Sequence, residues 1–186
     1  MLFRSPWHAH HIAERYSLLA IIALGEGLAG AVAAMSAVVT RQGWSVDAVL
    51  VSVAGVGLTF GLWWMYFLIP TAPALHAQRR RAFGWGYGHM LIFAAIAATG
   101  AGLRVTAVFI AHEATIGPVA SVLSIAVPVA VYGAAIYGLH AWLSGQGDPL
   151  RIGLLAGTVG LLAAAVGLAA AGGSLAACLM SSFPPE

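Results

Sequence analysis

The sequence predicts an all-α integral membrane helix bundle of about five transmembrane helices, with a cytoplasmic N-terminus. Composition is the first reason. Of 186 residues, 61% are hydrophobic and 8% charged, and the mean hydropathy is +0.92. Soluble domains carry about 25% charged residues, so water cannot solvate this surface and the bilayer is the solvent for much of it. The second reason is run length: five stretches reach the roughly 20 apolar residues that a helix needs to cross the hydrocarbon core. The third is period, because no stretch alternates polar with apolar residues as barrel strands do. The length suits one domain, so residues 1–186 read as a single membrane domain.

The spans fall at about Ile12–Val39, Val46–Ile69, Phe83–Ala111, Ile116–Leu143 and Leu150–Phe183. The first resembles a signal peptide in having Arg4 before an apolar run. However, Glu14 and Arg15 precede the run, Glu26 interrupts it, and it is longer than a typical signal core. It reads as a retained span. Pro70 and Pro73 close the second span, and the loop from Thr71 to Ala82 carries Arg79, Arg80 and Arg81. Ser144-Gly-Gln-Gly-Asp-Pro149 is a turn. Pro128 is expected to kink the fourth span, since it lacks an N–H and clashes with the preceding turn. Gly57 and Gly61, like Gly153 and Gly157, are spaced for close helix packing, read here as packing within one bundle rather than a self-dimer seam.

Arginine placement orients the chain. With the triple-Arg loop inside, Arg4, Arg15, Arg79, Arg80, Arg81 and Arg151 are cytoplasmic, Arg41 is outside and Arg104 lies within the third span. The topology is then N-in and C-out. Trp63, Trp64, Tyr66 and Phe67 form an interfacial belt at the inner end of the second span. The net charge of +2 does not make a nucleic-acid surface, because eight arginines spread over membrane loops form no basic face. The single cysteine, Cys178, rules out an intrachain disulfide framework. Arg79, Arg80 and Arg81 are expected to touch anionic lipid headgroups.

The polar residues carry the functional signal. His8, His10, His11, Glu14 and Arg15 precede Glu26 on the first helix. Arg15 and Glu26 are eleven residues apart, so they fall within about 20° of one direction and roughly 16 Å apart along the axis. Glu26 lies about halfway through the span, where a carboxylate is costly unless protonated, paired or wet. Three readings stand for it: a structural hydrogen bond to another helix, a proton or cation site in a transport path, or the lining of a small-molecule pocket. Arg104 either snorkels outward, pairs with Glu113, or supplies the counter-charge to Glu26. His11, His76, His89 and His140 all approach the inner side, where with Glu14 they form a weak candidate for zinc or iron. No nucleophile elbow, P-loop or dinucleotide fingerprint appears. Gly84, Gly86 and Gly88 follow no strand and do not form a phosphate cradle. The sequence names no cofactor and points away from an enzyme.

The run His11-Ile-Ala-Glu14-Arg15 through Leu24-Gly25-Glu26 resembles the H-x-x-E-R…L-G-E signature of the bacterial low-temperature-requirement A (LtrA) membrane family. Trp63-Trp64-Met-Tyr66-Phe67 resembles its W-W-x-Y-F segment. Tyr87-Gly-His89 with Gly100-Ala-Gly102-Leu resembles its later glycine-containing helix. The motifs span roughly residues 7–104, and the resemblance is to about the C-terminal half of the family pattern, without its E-L-F-F-D-L-type N-terminal half. It implies a multipass membrane protein and marks His11, Glu14, Arg15, Gly25, Glu26, Trp64, Tyr66 and His89 as family-pattern residues without assigning them roles. The leading expectation is proton- or ion-coupled transport along a polar pathway or pocket that includes His11, Glu14, Arg15, Glu26, His89 and Arg104. The alternatives are an accessory subunit docked on other membrane helices, and a metal-dependent membrane enzyme using the inner-side histidines.

Overall fold

The computed structural model describes residues 8–44, 46–110, 115–145 and 149–180, and all the regular structure among them is helical. The helices are α1 (Ala9–Gln42), α2 (Val46–Phe67), α3 (Thr71–Ala77), α4 (Ala82–Ile110), α5 (Pro118–Ser144) and α6 (Pro149–Met180), with a 3₁₀ turn at Arg79–Arg81 before α4. Five stretches are long and apolar enough to cross a membrane. This is a multipass membrane helix bundle.

The helices pack in the order α2, α1, α4, α5, α6, with α1 against α4 the most extensive pairing. α1 and α4 run parallel: Tyr16 meets Trp85, and Gly30, about 21 Å further along, meets Gly100. The core joins Ala20 and Leu24 of α1, Leu62 and Tyr66 of α2, Ile92 and Ile96 of α4, and Val129, Tyr132 and Ile136 of α5. The Tyr132 hydroxyl donates to the Leu62 carbonyl at 2.6 Å, which satisfies the polar end of a fully buried ring. α6 packs on α5 at the edge, and none of its described side chains is buried.

Polar side chains inside the spans satisfy themselves locally. The hydroxyls of Ser17, Thr59, Thr99 and Thr106 each donate to the carbonyl four residues earlier, at 2.8–3.0 Å. Where no water is available, this closes the hydroxyl's donor requirement without a second helix. Two helix ends use positive-φ glycines, Gly43 (φ 70°) after α1 and Gly145 (φ 69°) after α5; the Gly145 N–H donates to the Ala141 carbonyl.

Two sequence expectations change. The segment after Pro70 is a seven-residue helix rather than a loop, because proline is tolerated in a helix's first turn, where its missing N–H has no intrahelical partner. Leu75 anchors α3 by packing, fully buried, with Ala9, Trp85 and Leu143. The glycines that bring helices together are also different ones. A Cβ on Gly57, Gly61, Gly153 or Gly157 would meet nothing within 4 Å, so those pairs do not serve the bundle. The close approaches are at Gly27 and Gly55 between α1 and α2, Gly30 and Gly100 between α1 and α4, and Gly102 between α4 and α5. Gly102 lies against the Ser124 carbonyl. Pro128 stands four residues beyond Ser124, so that carbonyl has lost its ordinary helical donor. α5 runs from Pro118 to Ser144 with Pro128 inside it.

Candidate functional site

The α1–α4 seam carries two polar features. The first is an ion pair. Glu26 is the eighteenth of the 34 residues of α1, and its carboxylate lies 2.8 Å from the Arg104 guanidinium on α4. Of the three roles open to Arg104 in the sequence, the structure selects the counter-charge to Glu26. Glu113, the rival partner, lies outside the described residues. What lets the pair form is backbone proximity: Gly100 sits directly against the Glu26 carbonyl and the Gly27 amide, so α4 approaches α1 with no side chain between. Arg104 is four residues, about one turn, beyond Gly100, and its long side chain reaches back to the carboxylate.

Both side chains of the pair are 51% exposed. The pair is on the outer flank of the seam, not in the core. On α1, Arg15, Ile22, Glu26 and Ala33 fall within about 40° of one direction; on α4, Phe83, Met90, Arg104 and Val108 fall within about 60°. Open clefts lie along the same flank on either side of the pair. One, of about 500 Å³, is bounded by Ile12, Tyr16, Phe83, Gly86, Tyr87 and Met90. The other, of about 530 Å³, is bounded by Ala33, Ser36, Ala37, Thr40, Arg41, Ala107 and Val108.

The second feature is His89, which is buried at 2% exposure. Its Nδ1 is 2.9 Å from the Trp85 carbonyl and its Nε2 is 3.2 Å from the Tyr66 hydroxyl. A carbonyl only accepts, so Nδ1 carries the hydrogen; in the neutral ring Nε2 then accepts from Tyr66. Aromatic rings close around the imidazole, with Trp85 at 4.1 Å, Tyr16 at 4.8 Å, Phe93 at 5.7 Å and Tyr66 at 5.9 Å between centroids. Both ring nitrogens are used by protein groups, and the site ties α1, α2 and α4 together. A cavity of about 20 Å³ beside it, reached by Thr71 and His140, has room for about one water.

The remaining sequence candidates separate. His11 and His10 each lie 3.3 Å from Glu14, forming a local exposed cluster at the start of α1. Arg15 is exposed, and Glu26, about three turns on, pairs with Arg104 instead. His89 is level with Tyr16, so it sits about 15 Å along the axis from Glu26 and is not brought to it. Gly25 faces outward with nothing within 4 Å of a Cβ, while Trp64 is exposed and packs among Phe60 and Trp63. Among the described residues, no three of His, Cys, Asp and Glu converge where they could hold a metal ion. Arg81 is held by the protein: it donates to the Trp142 carbonyl and lies 5.4 Å over that indole ring. The side chain of Cys178 lies outside the described residues.

Sequence reasoning did not single out Tyr16, Ser17, Trp85 or Phe93. The spacing Trp85, His89, Phe93 puts all three on one helix face and was a readable signal. Tyr16 and Ser17 directly follow the His-x-x-Glu-Arg run. Gly84, Gly86 and Gly88 also acquire a reason, since they make room for Trp142, Tyr16 and Leu139 respectively.

The three motif segments thus meet in pairs. Tyr66 of the second contacts His89 of the third beside Tyr16 of the first, and Glu26 of the first contacts the Gly100–Arg104 stretch of α4. No curated protein and no solved structure matches the chain. A family model described as Bacterial low temperature requirement A protein (LtrA) matches residues 2–182, which extends past the motif-bearing segments through α5 and α6. The chain is therefore a member of the LtrA family.

Proposed function

We propose that the chain moves protons or a small cation across the bacterial cytoplasmic membrane, along the α1–α4 flank, with Glu26 and Arg104 as the gate. One observation carries the reading: a charge pair made across two helices, near the middle of a 34-residue span, stands between two clefts on the same flank. A charged side chain at the bilayer centre costs about 2.5–3.5 kcal/mol by insertion measurements, and such groups mark ion paths and proton relays. Pairing offsets that cost. Protonating Glu26 removes its charge and frees Arg104, so a proton or a competing cation at the carboxylate opens the pair. Arg15, His11 and Glu14 lie at the α1 end of this path and set the charge at its mouth.

The test is flux into liposomes loaded with a pH-reporting dye, comparing wild type with Glu26→Gln. Loss of flux in a variant that still unfolds at the wild-type temperature supports the reading. Undiminished flux removes it.

A second reading, an accessory subunit, draws on the outward glycines. Around Gly57 and Gly61 on α2, and Gly153 and Gly157 on α6, a Cβ would meet no other atom within 4 Å among the described residues. Here the Glu26–Arg104 pair only locks α1 to α4. Purification in mild detergent separates the two: stoichiometric co-purification of another membrane protein favours the subunit, and a monodisperse lone chain counts against it.

A further inference from the structure

The flank that carries the Glu26–Arg104 pair is ill suited to lipid. Both side chains are 51% exposed, and Glu26 stands about halfway along α1. Charge at that depth is costly where it faces acyl chains. The same flank exposes Ile22 on α1 and Phe83, Met90, Ala97 and Ala101 on α4. We propose that it packs against the same flank of a second copy of the chain, in a parallel dimer whose two-fold axis runs along the membrane normal beside the pair.

Charge complementarity selects this occupant. Glu26 and Arg104 stand side by side, one on each helix of the seam. A two-fold axis along the membrane normal keeps depth and exchanges left with right. It therefore sets Glu26 of one copy opposite the partner's Arg104, and Arg104 opposite the partner's Glu26. The pair within each chain stays intact. Two pairs facing in this way make a ring of four alternating charges. The groups have the capacity for it, since a guanidinium has five N–H donors and a carboxylate about four acceptor sites. A lipid tail offers neither charge nor hydrogen bond. Shape agrees with charge. Ala97 and Ala101 lie within about 60° of the Arg104 direction and present only methyl groups, so two copies can approach closely beside the pair. The clefts of about 500 and 530 Å³ lie on this flank, on either side of the pair. In the dimer each cleft faces its counterpart, and two open grooves become chambers walled off from lipid. On the transport reading proposed for this flank, the second copy thus completes a path that one chain leaves open along its side.

The interface is tested in native membranes by disulfide formation with copper phenanthroline. Cys178, the single cysteine, is first replaced by Cys178→Ser. Ala97→Cys then places a thiol on the flank, and Leu161→Cys places one on exposed α6 as the control. A covalent dimer from Ala97→Cys, with little from Leu161→Cys, is expected. Monomer alone would mean that lipid covers the flank, and an adduct of another mass would mean a different membrane protein; either overturns the proposal. Equal dimer from both positions reports random collision and also overturns it. The facing of charges is tested with two differently tagged chains, one carrying Glu26→Arg and the other Arg104→Glu. Each chain alone sets like charges against like. Together they are complementary, so they are expected to capture each other about tenfold better than either captures itself, because facing like charges suppress a wrong partner. Equal self-capture and mutual capture overturns the charge ring. The crosslink is read without flux. A dimer that moves no ions keeps this interface and removes only the transport reading, while flux from a chain that stays monomeric overturns the interface alone.

Discussion

Replacing Gly100 with Ala tests the seam that brings Glu26 to Arg104. The added Cβ would lie 2.6 Å from the Glu26 carbonyl oxygen, 2.7 Å from its carbon and 3.0 Å from the Gly27 nitrogen. Those are backbone atoms of a long helix and cannot rotate away. Against ordinary contact of 3.4 Å, the shortfall is roughly 0.8 Å, and the two helices must part by about that much. Overpacking of this kind costs about 1–3 kcal/mol. Alanine also favours a helix over glycine by about 1 kcal/mol, which would mask part of the loss. Gly57→Ala supplies the control, because a Cβ there meets nothing within 4 Å while the helix gain is the same. The difference between the two variants isolates the steric cost. At about 2–4 °C per kcal/mol for a chain of this size, Gly100→Ala is expected to melt roughly 2–12 °C below Gly57→Ala in one detergent. Equal melting temperatures would refute the close approach of α1 and α4.

Tyr66→Phe removes the hydroxyl that donates to His89 and leaves a buried imidazole nitrogen unpaired. A loss of about 1–3 kcal/mol is expected, with a change in Trp85 fluorescence because that indole packs on the same imidazole. Tyr132→Phe removes a second donor from the Leu62 carbonyl, which stands inside α2, and is expected to cost less, about 0.5–1.5 kcal/mol, without the change at Trp85. The arginine distribution predicts that a reporter fused after Glu186 reads the outside of the cell; a cytoplasmic reading would reverse the topology.

Much of this fold was legible in the sequence because bilayer thickness dictates span length. The five apolar runs correspond to α1, α2, α4, α5 and α6, with ends displaced by a few residues where polar termini extend the helix beyond the hydrocarbon. α3 was read as loop because Pro70 and Pro73 look like breakers, although proline suits a first turn. The site was half legible. Periodicity put Arg15 and Glu26 on one stripe and singled out Arg104, but a helix's own register says nothing about which neighbour it meets. The partner of Glu26 therefore became legible only once α4 was seen beside α1. The glycines show the same limit. Gly57 and Gly61 have the spacing of a packing motif and face outward, while Gly30 and Gly100, far apart in sequence, make the contact. His89 was marked as polar within a span. Its aromatic surround was not anticipated, because Tyr16 and Tyr66 arrive from two other helices.

A charge swap tests most directly whether the Glu26–Arg104 pair is the gate. Flux into dye-loaded liposomes is measured for Glu26→Gln, Arg104→Gln, and the double variant Glu26→Arg with Arg104→Glu. The pair predicts loss of flux in each single variant and partial recovery in the swap, which restores opposite charges across α1 and α4. Wild-type flux in both single variants would contradict it.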